Sequence, residues 1–591
     1  MGITKGIKVA KQSAQNLIPR WRYYLVMLGL VSLPILLAIK IAQLQIIPDH
    51  EYGVDFLQHQ GDARAIRSQS IPAYRGLITD RNGEPLAVST PVTSLVANPK
   101  YLLKATEEDL SRLAESLDTG LSQLKARLNR YRNKSFMYLA RQLPVGEAAR
   151  VLDLGIMGIS GRQEFKRFYP AGEVTAQLVG FTDIDDAGQE GLELAYNSQL
   201  TGEPGSKKVI KDLKGRVIKD IAQLKPARSG DTLRLSIDLR VQYAAYRALK
   251  ASVHQHRAKS GSAVVMDIVT GEVLAMVNQP SFNPNNRAAL RPESVRNRAV
   301  TDMMEPGSTV KPFTLLAALE SGKFAADTEV DTSPGYLKVD YKTFVDPHDY
   351  GVLDLAGILS KSSQVGTSKL ALELDPDETR ELFERMGFGE GMSTGFPGET
   401  SGNLPAHRKW DPVTQATFAF GYGLSASSLQ LARAYSILAN DGLRKEISLL
   451  ALEQVPEGVR VVDADLVKIM RQMLQQATGD QGTGKRALIN GYSVGGKTGT
   501  LHKVKITGGY DENRYMSVFA GFSPVSNPRL VTIVVIDEPR DGDYFGGLVA
   551  APVFSEITGN ALRLLQVTPD QLEDDNAVAQ LPPQPIQRGE S

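Results

Sequence analysis

The stretch that decides the fold and the chemistry of this chain is EPGSTVKP, residues 305–312. It places Ser308 three residues before Lys311, and it starts an apolar run that Gly322 is suited to end as a helix C-terminus. Residues three apart share a helix face, so the Lys311 amine can reach the Ser308 hydroxyl. Because a serine hydroxyl is a poor nucleophile without a base, Ser308 is a candidate nucleophile and Lys311 its candidate base.

Two more elements follow in order along the chain. SSQ occupies residues 362–364, and KTGT occupies residues 497–500 in a glycine-rich stretch. A free lysine titrates near 10.4, so its pKa must fall by roughly 3 units before it can accept a proton at pH 7. Burial and a second cation both lower a lysine pKa, and Lys497 is the candidate cation. Ser362 is the candidate relay that returns the proton to a leaving amine.

The KTGT element fits a strand at the border of a cleft. We expect Thr498 to hydrogen-bond a terminal carboxylate, Lys497 to offer that carboxylate a positive charge, and Gly499 to admit the substrate backbone. The backbone N–H groups of Ser308 and Thr500 are candidates for an oxyanion hole, which stabilises the transition state of acyl transfer. The predicted acyl donor is therefore a peptide that ends in a free carboxylate.

A catalytic site is indicated by the occurrence of all three elements in one chain. Ser122 and Lys125 have the same spacing as Ser308 and Lys311, but they lie in a predicted surface helix without companion elements. Each element alone fits an ordinary helix start, turn or strand, whereas all three in this order indicate catalysis. The catalytic candidates are Ser308, Lys311, Ser362 and Lys497, and the substrate-binding candidates are Gln364, Thr498, Gly499 and Thr500.

Composition narrows the class of protein. A chain of 591 residues is too long for one ordinary domain and suggests two to four. Its net charge of +1 gives no broad basic field, so nucleic acid is not an expected partner. The absence of cysteine excludes thiol catalysis, cysteine zinc sites and disulfides, and it suits an oxidising compartment. The seven histidines show no close pairing, so no metal site is expected.

The N-terminal segment predicts a membrane anchor. Residues 1–22 are basic without any acidic residue, and the apolar stretch 23–47 that follows contains one charge, Lys40, which can reach the bilayer surface. About 20 apolar residues are needed for a helix to cross a bilayer. The alternative is a cleaved signal peptide, but a shorter apolar region and a small-residue cleavage site would then be expected, and residues 43–48 are QLQIIP. The positive-inside bias places the basic tail in the cytoplasm and the rest of the chain outside.

Hydrophobic periodicity predicts two further regions and a tail. Residues 50–230 form an irregular N-terminal domain, with a hairpin over 75–87 and one or two amphipathic helices over 106–132. Residues 231–566 have strands at both ends and helices between them, which indicates an α+β domain with an antiparallel sheet flanked by helices. The predicted strands are 263–267, 272–278, 494–500, 515–522 and 530–537, and the predicted helices are 308–321, 352–371, 427–440, 465–477 and 552–565. Residues 567–591 are acidic and rich in proline and glutamine, which is typical of a disordered tail.

The order of a serine–lysine element, a serine-rich turn and a lysine–threonine–glycine element is the pattern of penicillin-binding proteins and β-lactamases. With its other motifs the chain resembles the class B penicillin-binding proteins, specifically the division-type peptidoglycan D,D-transpeptidases of the penicillin-binding protein 3 family. These motifs are RGLITDRNG at 75–83, RFYPAG at 167–172, GQEGLE at 188–193, NRAV at 297–300, GYG at 421–423 and VGGKTGT at 494–500.

The resemblance implies an elongated pedestal domain followed by a transpeptidase domain. It implies that Ser308 attacks the D-Ala-D-Ala bond of a peptidoglycan stem peptide, that an amine of a neighbouring stem receives the acyl group, and that β-lactams acylate the same serine. It also implies a single-pass protein of the bacterial inner membrane that acts at the division septum with its catalytic domain in the periplasm. The implied partners are a membrane-embedded glycan polymerase and other division-complex membrane proteins, and no metal or organic cofactor is implied.

Gln364 departs from the family pattern, which has asparagine there. Glutamine carries the same amide one methylene further out, so the geometry of the site is expected to differ while Ser308, Lys311 and Lys497 are kept. Three alternatives stay open: a catalytically weakened penicillin-binding scaffold or β-lactam sensor, an elongation-type transpeptidase, and a β-lactamase. The membrane anchor and the large additional domain weigh against the β-lactamase.

Overall fold

The computed structural model describes residues 19–46, 56, 66–211, 217–288, 290–406, 409–505 and 508–571. The chain divides into two compact units. Unit 1 comprises residues 1–72, 94–162 and 204–227, and unit 2 comprises residues 73–93, 163–203 and 228–591. Unit 2 therefore includes three segments of the predicted domain 50–230, namely 73–93, 163–203 and 228–230. The predicted cytoplasmic tail up to residue 18 and the predicted C-terminal tail from residue 572 lie outside the described residues.

Helices occur in both units. In chain order they are α1 (Arg20–Gln45), α2 (Pro99–Leu102), α3 (Glu107–Ser116), α4 (Leu121–Arg130), α5 (Val145–Leu152), α6 (Ala176–Val179), α7 (Gly191–Ala195), α8 (Asn197–Leu200), α9 (Leu239–Gln255), α10 (Pro292–Val295), α11 (Arg298–Thr301), α12 (Lys311–Glu320), α13 (Leu355–Lys361), α14 (Gln364–Leu372), α15 (Pro376–Arg385), α16 (Pro412–Phe418), α17 (Ser428–Ala439), α18 (Ala464–Thr478) and α19 (Gly546–Leu564).

Strands also occur in both units. In chain order they are β1 (Ile66–Ile71), β2 (Ile78–Thr79), β3 (Pro85–Ala97), β4 (Met137–Leu143), β5 (Ile159–Phe168), β6 (Gly205–Lys211), β7 (Val217–Lys225), β8 (Leu233–Arg234), β9 (Ser260–Asp267), β10 (Val273–Gln279), β11 (Val330–Asp331), β12 (Tyr336–Val339), β13 (Lys342–Val345), β14 (Val352–Leu353), β15 (Leu443–Arg444), β16 (Val459–Arg460), β17 (Gly495–Val504), β18 (Tyr510–Ser523) and β19 (Leu530–Asp537).

Helix α1 has the length and composition of a membrane span. Its 26 residues extend about 39 Å at 1.5 Å per residue, more than the roughly 30 Å of a bilayer core. None of its residues is buried in the protein. Trp21, Tyr23 and Tyr24 lie in its first turns, where aromatic rings favour the membrane interface. The helix overlaps the predicted anchor and suits a single-pass attachment.

Unit 1 contains the two predicted amphipathic helices and a small sheet. α3 and α4 bury the leucines that gave the helical period, including Leu110, Leu113, Leu124 and Leu128. The sheet is antiparallel with the order β1-β6-β7, so β7 is an outer strand.

Unit 2 is built on a five-stranded antiparallel sheet of order β10-β9-β19-β18-β17. All five predicted strands are present in it. Helices α9 and α19 cover one face, and α12, α17 and α18 contribute to the hydrophobic core on the other. β17 is at the sheet edge, where the KTGT element lies. The predicted α+β arrangement is confirmed.

Two predicted helices differ from the structure in their bounds. The helix predicted over 352–371 is interrupted at Ser362, whose φ of 56° is left-handed, and the chain continues as α14. The helix predicted from residue 552 begins at Gly546. Pro552 lies inside α19.

Motifs of the predicted N-terminal domain meet in a buried ionic network within unit 2. Arg75 Nε and Arg167 Nε each donate to the Glu193 carboxylate at 2.6 Å. Arg75 also donates to Asn197 Oδ1 at 2.9 Å and Thr201 Oγ1 at 3.1 Å. The three charged side chains are almost completely buried, so they hold these segments together by paired charges and hydrogen bonds.

The first residues assigned to the C-terminal tail are held by hydrogen bonds. The Tyr492 hydroxyl donates to the Val567 carbonyl at 2.8 Å, and Asp570 accepts hydrogen bonds from the backbone N–H and side chain of Ser493. Ser526 Oγ also donates to Asp570, at 2.7 Å. Residues 567–571 therefore belong to the packed part of unit 2.

Candidate active site

Ser308 lies in a single 3-10 turn, Gly307–Val310, that leads directly into α12. Its side chain is half-buried, whereas Thr309 and Val310 beside it are buried. The turn is fixed from both sides: the Gly307 N–H donates to the Gly421 carbonyl at 3.1 Å, and the Tyr435 hydroxyl donates to the Thr309 carbonyl at 2.7 Å. The predicted nucleophile is thus partly open to solvent on a turn that cannot easily shift.

Lys311 is the first residue of α12 and is completely buried. Its Nζ donates to the Ser362 carbonyl at 2.5 Å and to Ser362 Oγ at 3.2 Å. Among the described residues, its hydrogen bonds go to Ser362 and not to Ser308. Burial lowers the pKa of Lys311 to about 7, although the nearby Asp346 carboxylate acts in the opposite direction. A substantial fraction of Lys311 is therefore neutral near pH 7.

The break between α13 and α14 presents the serine-rich element. The left-handed conformation of Ser362 turns its carbonyl and hydroxyl toward Lys311. Ser363 caps α14, and its Oγ accepts from the Gly366 N–H at 2.8 Å and donates to Asp346. Asp346 Oδ1 also accepts from the backbone N–H of Gln364 at 2.5 Å. The middle residue of this element therefore anchors the turn to a distant carboxylate.

Lys497 lies on β17 and is also completely buried. Its Nζ donates to the carbonyl of Thr498 at 3.1 Å and to Thr498 Oγ1 at 3.3 Å. Burial and, second, the positive charge of Lys311 hold the pKa of Lys497 well below its usual range. The sequence predicted that Lys497 would lower the pKa of Lys311. Burial lowers that pKa instead, and the charge of Lys311 acts on Lys497. Thr498 Oγ1 donates to Thr483 Oγ1 at 2.9 Å, which orients its hydroxyl.

β17 is held between the nucleophile turn and the start of α19. A Cβ added at Gly499 would lie 2.9 Å from Thr309 Cγ2, and one added at Gly546 would lie 2.3 Å from the Gly499 carbonyl. Thr500 Oγ1 accepts from the Gly546 N–H at 3.0 Å. The space at Gly499 is thus needed for the turn that carries Ser308, a use that the sequence analysis did not foresee.

A glutamate and two tyrosines connect the segments at the entrance to this site. Glu305 Oε1 accepts from the Gly423 N–H at 2.9 Å and from the Tyr510 hydroxyl at 3.2 Å. The Tyr422 and Tyr510 rings meet edge to face with centroids 5.3 Å apart. Burial and the Glu305 carboxylate raise the pKa of Tyr422, so this phenol stays neutral. These contacts tie the beginning of β18 to the segment before Ser308.

Gln364 is half-buried at the first position of α14. Its backbone N–H is engaged by Asp346. Within the described part of the chain, its side-chain amide forms no hydrogen bond. The amide is therefore available to a ligand, one methylene further from the backbone than an asparagine amide.

Sequence reasoning missed three contributors to this site: Asp346, Thr483 and the Glu305–Tyr510 pair. Asp346 is 17 residues from Ser363, and Thr483 is 15 from Thr498. No local motif marks either residue, because each reaches the site only through the fold. Among the described residues, no group of three or more His, Asp or Glu side chains is placed to hold a metal ion.

The arrangement fits serine acyl transfer. It provides a half-buried hydroxyl, a buried lysine with a pKa near neutrality, a serine in contact with that lysine, and a second buried lysine on an edge strand. Such a set can form and break an acyl-serine bond without a metal ion.

Comparison with known proteins agrees with this chemistry. Residues 261–559 match the penicillin-binding protein transpeptidase domain, and residues 70–235 match the penicillin-binding protein dimerisation domain. "Probable peptidoglycan D,D-transpeptidase PbpC" of Pseudomonas aeruginosa is 44% identical over 559 residues, which are 95% of this chain and 98% of that protein. Peptidoglycan D,D-transpeptidase FtsI of Escherichia coli K12 is 41% identical over 558 residues, 93% of each chain.

A solved structure shares the fold of the catalytic part. The transpeptidase domain of penicillin-binding protein 3 from Burkholderia pseudomallei, in its apo form, is 40% identical, with a TM-score of 0.53 over 57% of this chain and 98% of that one. The relatives match almost from end to end, and the order of the motifs matches the geometry of the site. The chain therefore belongs to the class B penicillin-binding proteins of the division type, the serine-type peptidoglycan D,D-transpeptidases.

Proposed function

We propose that Ser308 is the acyl-accepting nucleophile and that neutral Lys311 is its base. Ser308 Oγ attacks the carbonyl carbon of the penultimate residue of a stem peptide, and Lys311 Nζ takes the hydroxyl proton. The C–N bond to the terminal D-alanine breaks, and the proton passes from Lys311 through Ser362 to the leaving amine. The 3.2 Å contact between Lys311 Nζ and Ser362 Oγ supports this route.

The second half of the reaction reverses the first. An amine of a neighbouring stem attacks the acyl-Ser308 carbonyl, Lys311 accepts the amine proton, and Ser308 leaves with a proton returned from Lys311. The new amide bond is the cross-link, and the enzyme is restored. A β-lactam ring acylates Ser308 in the same first step, but its opened ring stays attached and blocks the second.

We assign substrate binding to the edge strand and to α14. The Thr498 hydroxyl and the Lys497 amine bind the terminal carboxylate of the donor, which favours the charged form of Lys497. The Gln364 amide contacts the peptide. The backbone N–H groups of Ser308 and Thr500 hold the oxyanion. In this assignment Asp346 is a positioning residue, because it acts on the substrate through the Ser362–Gln364 turn and through its charge on Lys311.

The helix α1 and the basic residues before it give the orientation that we propose. The N-terminus stays in the cytoplasm, α1 crosses the inner membrane, and the chain that follows α1 lies in the periplasm. There the enzyme would act at the division septum, beside a membrane-embedded glycan polymerase and other membrane proteins of the division complex. A fluorescent fusion expressed in dividing cells tests this: a septal band is expected, whereas sidewall labelling would indicate an elongation role.

The buried Lys311, with its pKa lowered to about 7 and its contact to Ser362, is the observation that carries the mechanism. The test is mass spectrometry of the full chain after incubation with a penicillin, beside a Ser308→Ala variant. A stable single adduct is expected on the Ser308 peptide, and none in the variant. A thioester substrate that ends in a free carboxylate then measures acyl transfer to an added amine.

The outcomes separate the alternatives that Gln364 leaves open. Rapid release of the adduct as hydrolysed penicillin would indicate a β-lactamase. A stable adduct without acyl transfer to any amine would indicate a sensor or scaffold. A folded chain that forms no adduct would contradict the assignment of Ser308.

A further inference from the structure

The outer strand β7 of unit 1 has an unusual pairing with β6. Six successive residues of β6 pair with six residues of β7, and three residues of β7 are skipped. The paired residues of β7 are Lys225, Gln223, Ala222, Asp220, Lys219 and Val217. The skipped residues are Ile218, Ile221 and Leu224, one in each bulge. Their side chains are 66%, 43% and 53% exposed. Three large aliphatic side chains are thus set at intervals of three along an open edge.

The open face of the same sheet is basic. Lys208, Lys219 and Lys225 are paired with Ala222, Ile210 and Ser206, positions that alternate onto one face, and all three lysines are exposed. Val209, on the opposite face, is fully buried. Six residues of β1, β6 and β7 are cationic and one is acidic: Arg67, Lys207, Lys208, Lys211, Lys219 and Lys225 against Asp220. Asp220 pairs with Lys207 at 2.9 Å, and the positions of both residues alternate onto the face opposite Lys208 and Lys219.

This edge is poorly suited to adding a strand from another protein. Each bulge breaks the regular spacing of backbone groups that a pairing strand needs, and bulges are a known way of blocking sheet edges. Recognition here must therefore use side chains. A row of aliphatic side chains beside lysines fits a surface that is anionic at its outside and apolar just beneath, as the surface of an anionic bilayer is.

The membrane helix α1 is connected to the β1-β6-β7 sheet by a short segment of the chain. Helix α1 belongs to the same compact unit, and residues 46–65 connect it to β1. Twenty residues span at most about 70 Å when fully extended. The sheet is therefore tethered within that distance of the bilayer that holds α1, and the tether raises the effective concentration of the membrane surface.

We propose that the face and edge formed by Lys208, Ile218, Lys219, Ile221, Leu224 and Lys225, here called the lysine–aliphatic surface, bind anionic phospholipid headgroups of the membrane that anchors the chain. The lysines contact the lipid phosphates, and the three aliphatic side chains enter the interface between headgroups and acyl chains. This surface is separate from the residues assigned to catalysis, and its binding does not depend on which side of the membrane the units occupy.

The test uses the full chain in lipid nanodiscs. Because the protein has no cysteine, an Ala222→Cys variant accepts one environment-sensitive fluorophore at the centre of the lysine face. A Glu457→Cys variant, labelled at an exposed site of unit 2, is the matched control. We expect a blue shift of the Ala222→Cys label, and its quenching by headgroup spin-labelled lipid, in phosphatidylcholine–phosphatidylglycerol nanodiscs but not in phosphatidylcholine alone.

Neutralising the surface should weaken the contact. A Lys208→Gln/Lys219→Gln/Lys225→Gln variant is expected to lower the lipid-bound to free ratio by about fivefold for each lysine. The corresponding arginine variant should retain binding, and neutralising Lys338, Lys468 and Lys485 in unit 2 should leave it unchanged. Penicillin labelling at Ser308 checks that unit 2 of each variant is folded.

Three results would overturn the proposal. The first is the absence of any shift in anionic nanodiscs. The second is an equal shift in both lipid compositions that the lysine variants do not reduce. The third is a shift that appears only when other division-complex membrane proteins are added, which would identify the surface as a docking site for an acidic protein.

Discussion

Two clusters of charged side chains in unit 2 are buried to nearly the same extent, yet they are neutralised in opposite ways. Arg75 and Arg167 are 4% and 6% exposed, and both are paired with the fully buried Glu193. Lys311 and Lys497 are 0% exposed, and their hydrogen bonds go to carbonyl and hydroxyl oxygens. Lysine can become neutral by losing a proton, whereas arginine in a protein cannot.

The difference separates fold from chemistry. A buried arginine that is paired with a carboxylate fixes the segments that carry the two charges. A buried lysine without such a match is less stable when charged, and its pKa falls toward neutrality. The arginine–glutamate cluster therefore stabilises the fold of unit 2, and the lysine cluster provides a neutral amine that can act as a base. Substitution in the lysine cluster should reduce the acylation rate without loss of stability, and substitution in the arginine–glutamate cluster should reduce stability without loss of rate.

The largest expected effect is the loss of acylation in Lys311→Met. Without its base, Ser308 should react with a fluorescent penicillin at least about 10³-fold more slowly. The thermal midpoint should stay the same or rise, because a poorly compensated buried amine has been replaced by an apolar side chain of similar length. Lys323→Met, at an exposed lysine beyond the end of α12, should change neither quantity.

Arg167→Met should show the reverse pattern. It leaves the Glu193 carboxylate with one of its two guanidinium partners, and we expect the free energy of unfolding to fall by about 3 kcal/mol. Urea unfolding followed by Trp410 fluorescence measures this, since Trp410 is the one tryptophan of unit 2. The acylation rate of the folded variant at low temperature should match the wild type. A comparable loss of rate would mean that the two clusters are not separate in function.

The pH dependence of acylation should report Lys311. The neutral amine is the active form, so the second-order rate constant should rise about tenfold between pH 6 and pH 8, with a midpoint near 7. The unfolded chain holds this proton up to about pH 10.4. The penalty of burying the charged amine is therefore complete below pH 7, and the contribution of Lys311 to stability rises with pH between those values. A flat profile from pH 6 to 8 would contradict the role of Lys311 as base.

The pH profile of acylation in Asp346→Asn tests whether the Asp346 carboxylate affects Lys311. The Asp346 carboxylate raises the pKa of Lys311, so its neutralisation should move the midpoint of the profile to lower pH. The maximum rate should fall by roughly tenfold, since an asparagine keeps an acceptor oxygen for the Gln364 N–H but not for the Ser363 hydroxyl. Asp349→Asn in the same loop is the control. A rate loss without any shift of the midpoint would mean that Asp346 acts only through the turn.

The smallest effect is expected for Gln364→Asn, which restores the residue usual in the family. The rate of penicillin acylation should change by about two- to fivefold, because the amide is kept and only its reach is altered. Gln364→Ala should reduce the rate more than Gln364→Asn does. If both variants react like the wild type, the amide is not used in acylation.

The sequence predicted the local parts of this molecule well. The five strands of the central sheet and the buried leucines of α3 and α4 follow from hydrophobic period, which depends on neighbours in the chain. The spacing of Ser308 and Lys311 is likewise local. The lowered lysine pKa was predicted too, because the chemistry requires it whatever the fold.

The remaining parts depend on contacts between distant residues. Asp346 and Thr483 reach the site from separate loops, and neither has a motif. The left-handed Ser362 was also missed, because glycine or asparagine is the usual sign of that conformation and serine gives none. Gly499 was recognised as a position that needs space, but the neighbour that needs the space was not.

The close packing of β17 between the Ser308 turn and the start of α19 also restricts how this enzyme can evolve under β-lactam selection. An added Cβ at Gly421 or Gly546 would overlap a backbone atom of Gly307 or Gly499, and one at Gly499 would crowd the Thr309 methyl group. A larger residue at these positions would disrupt the site for the substrate as well as for the drug. Inherited variation in drug affinity should therefore accumulate at the margins of the cleft, at positions such as Gln364 and Tyr510, and leave its centre unchanged.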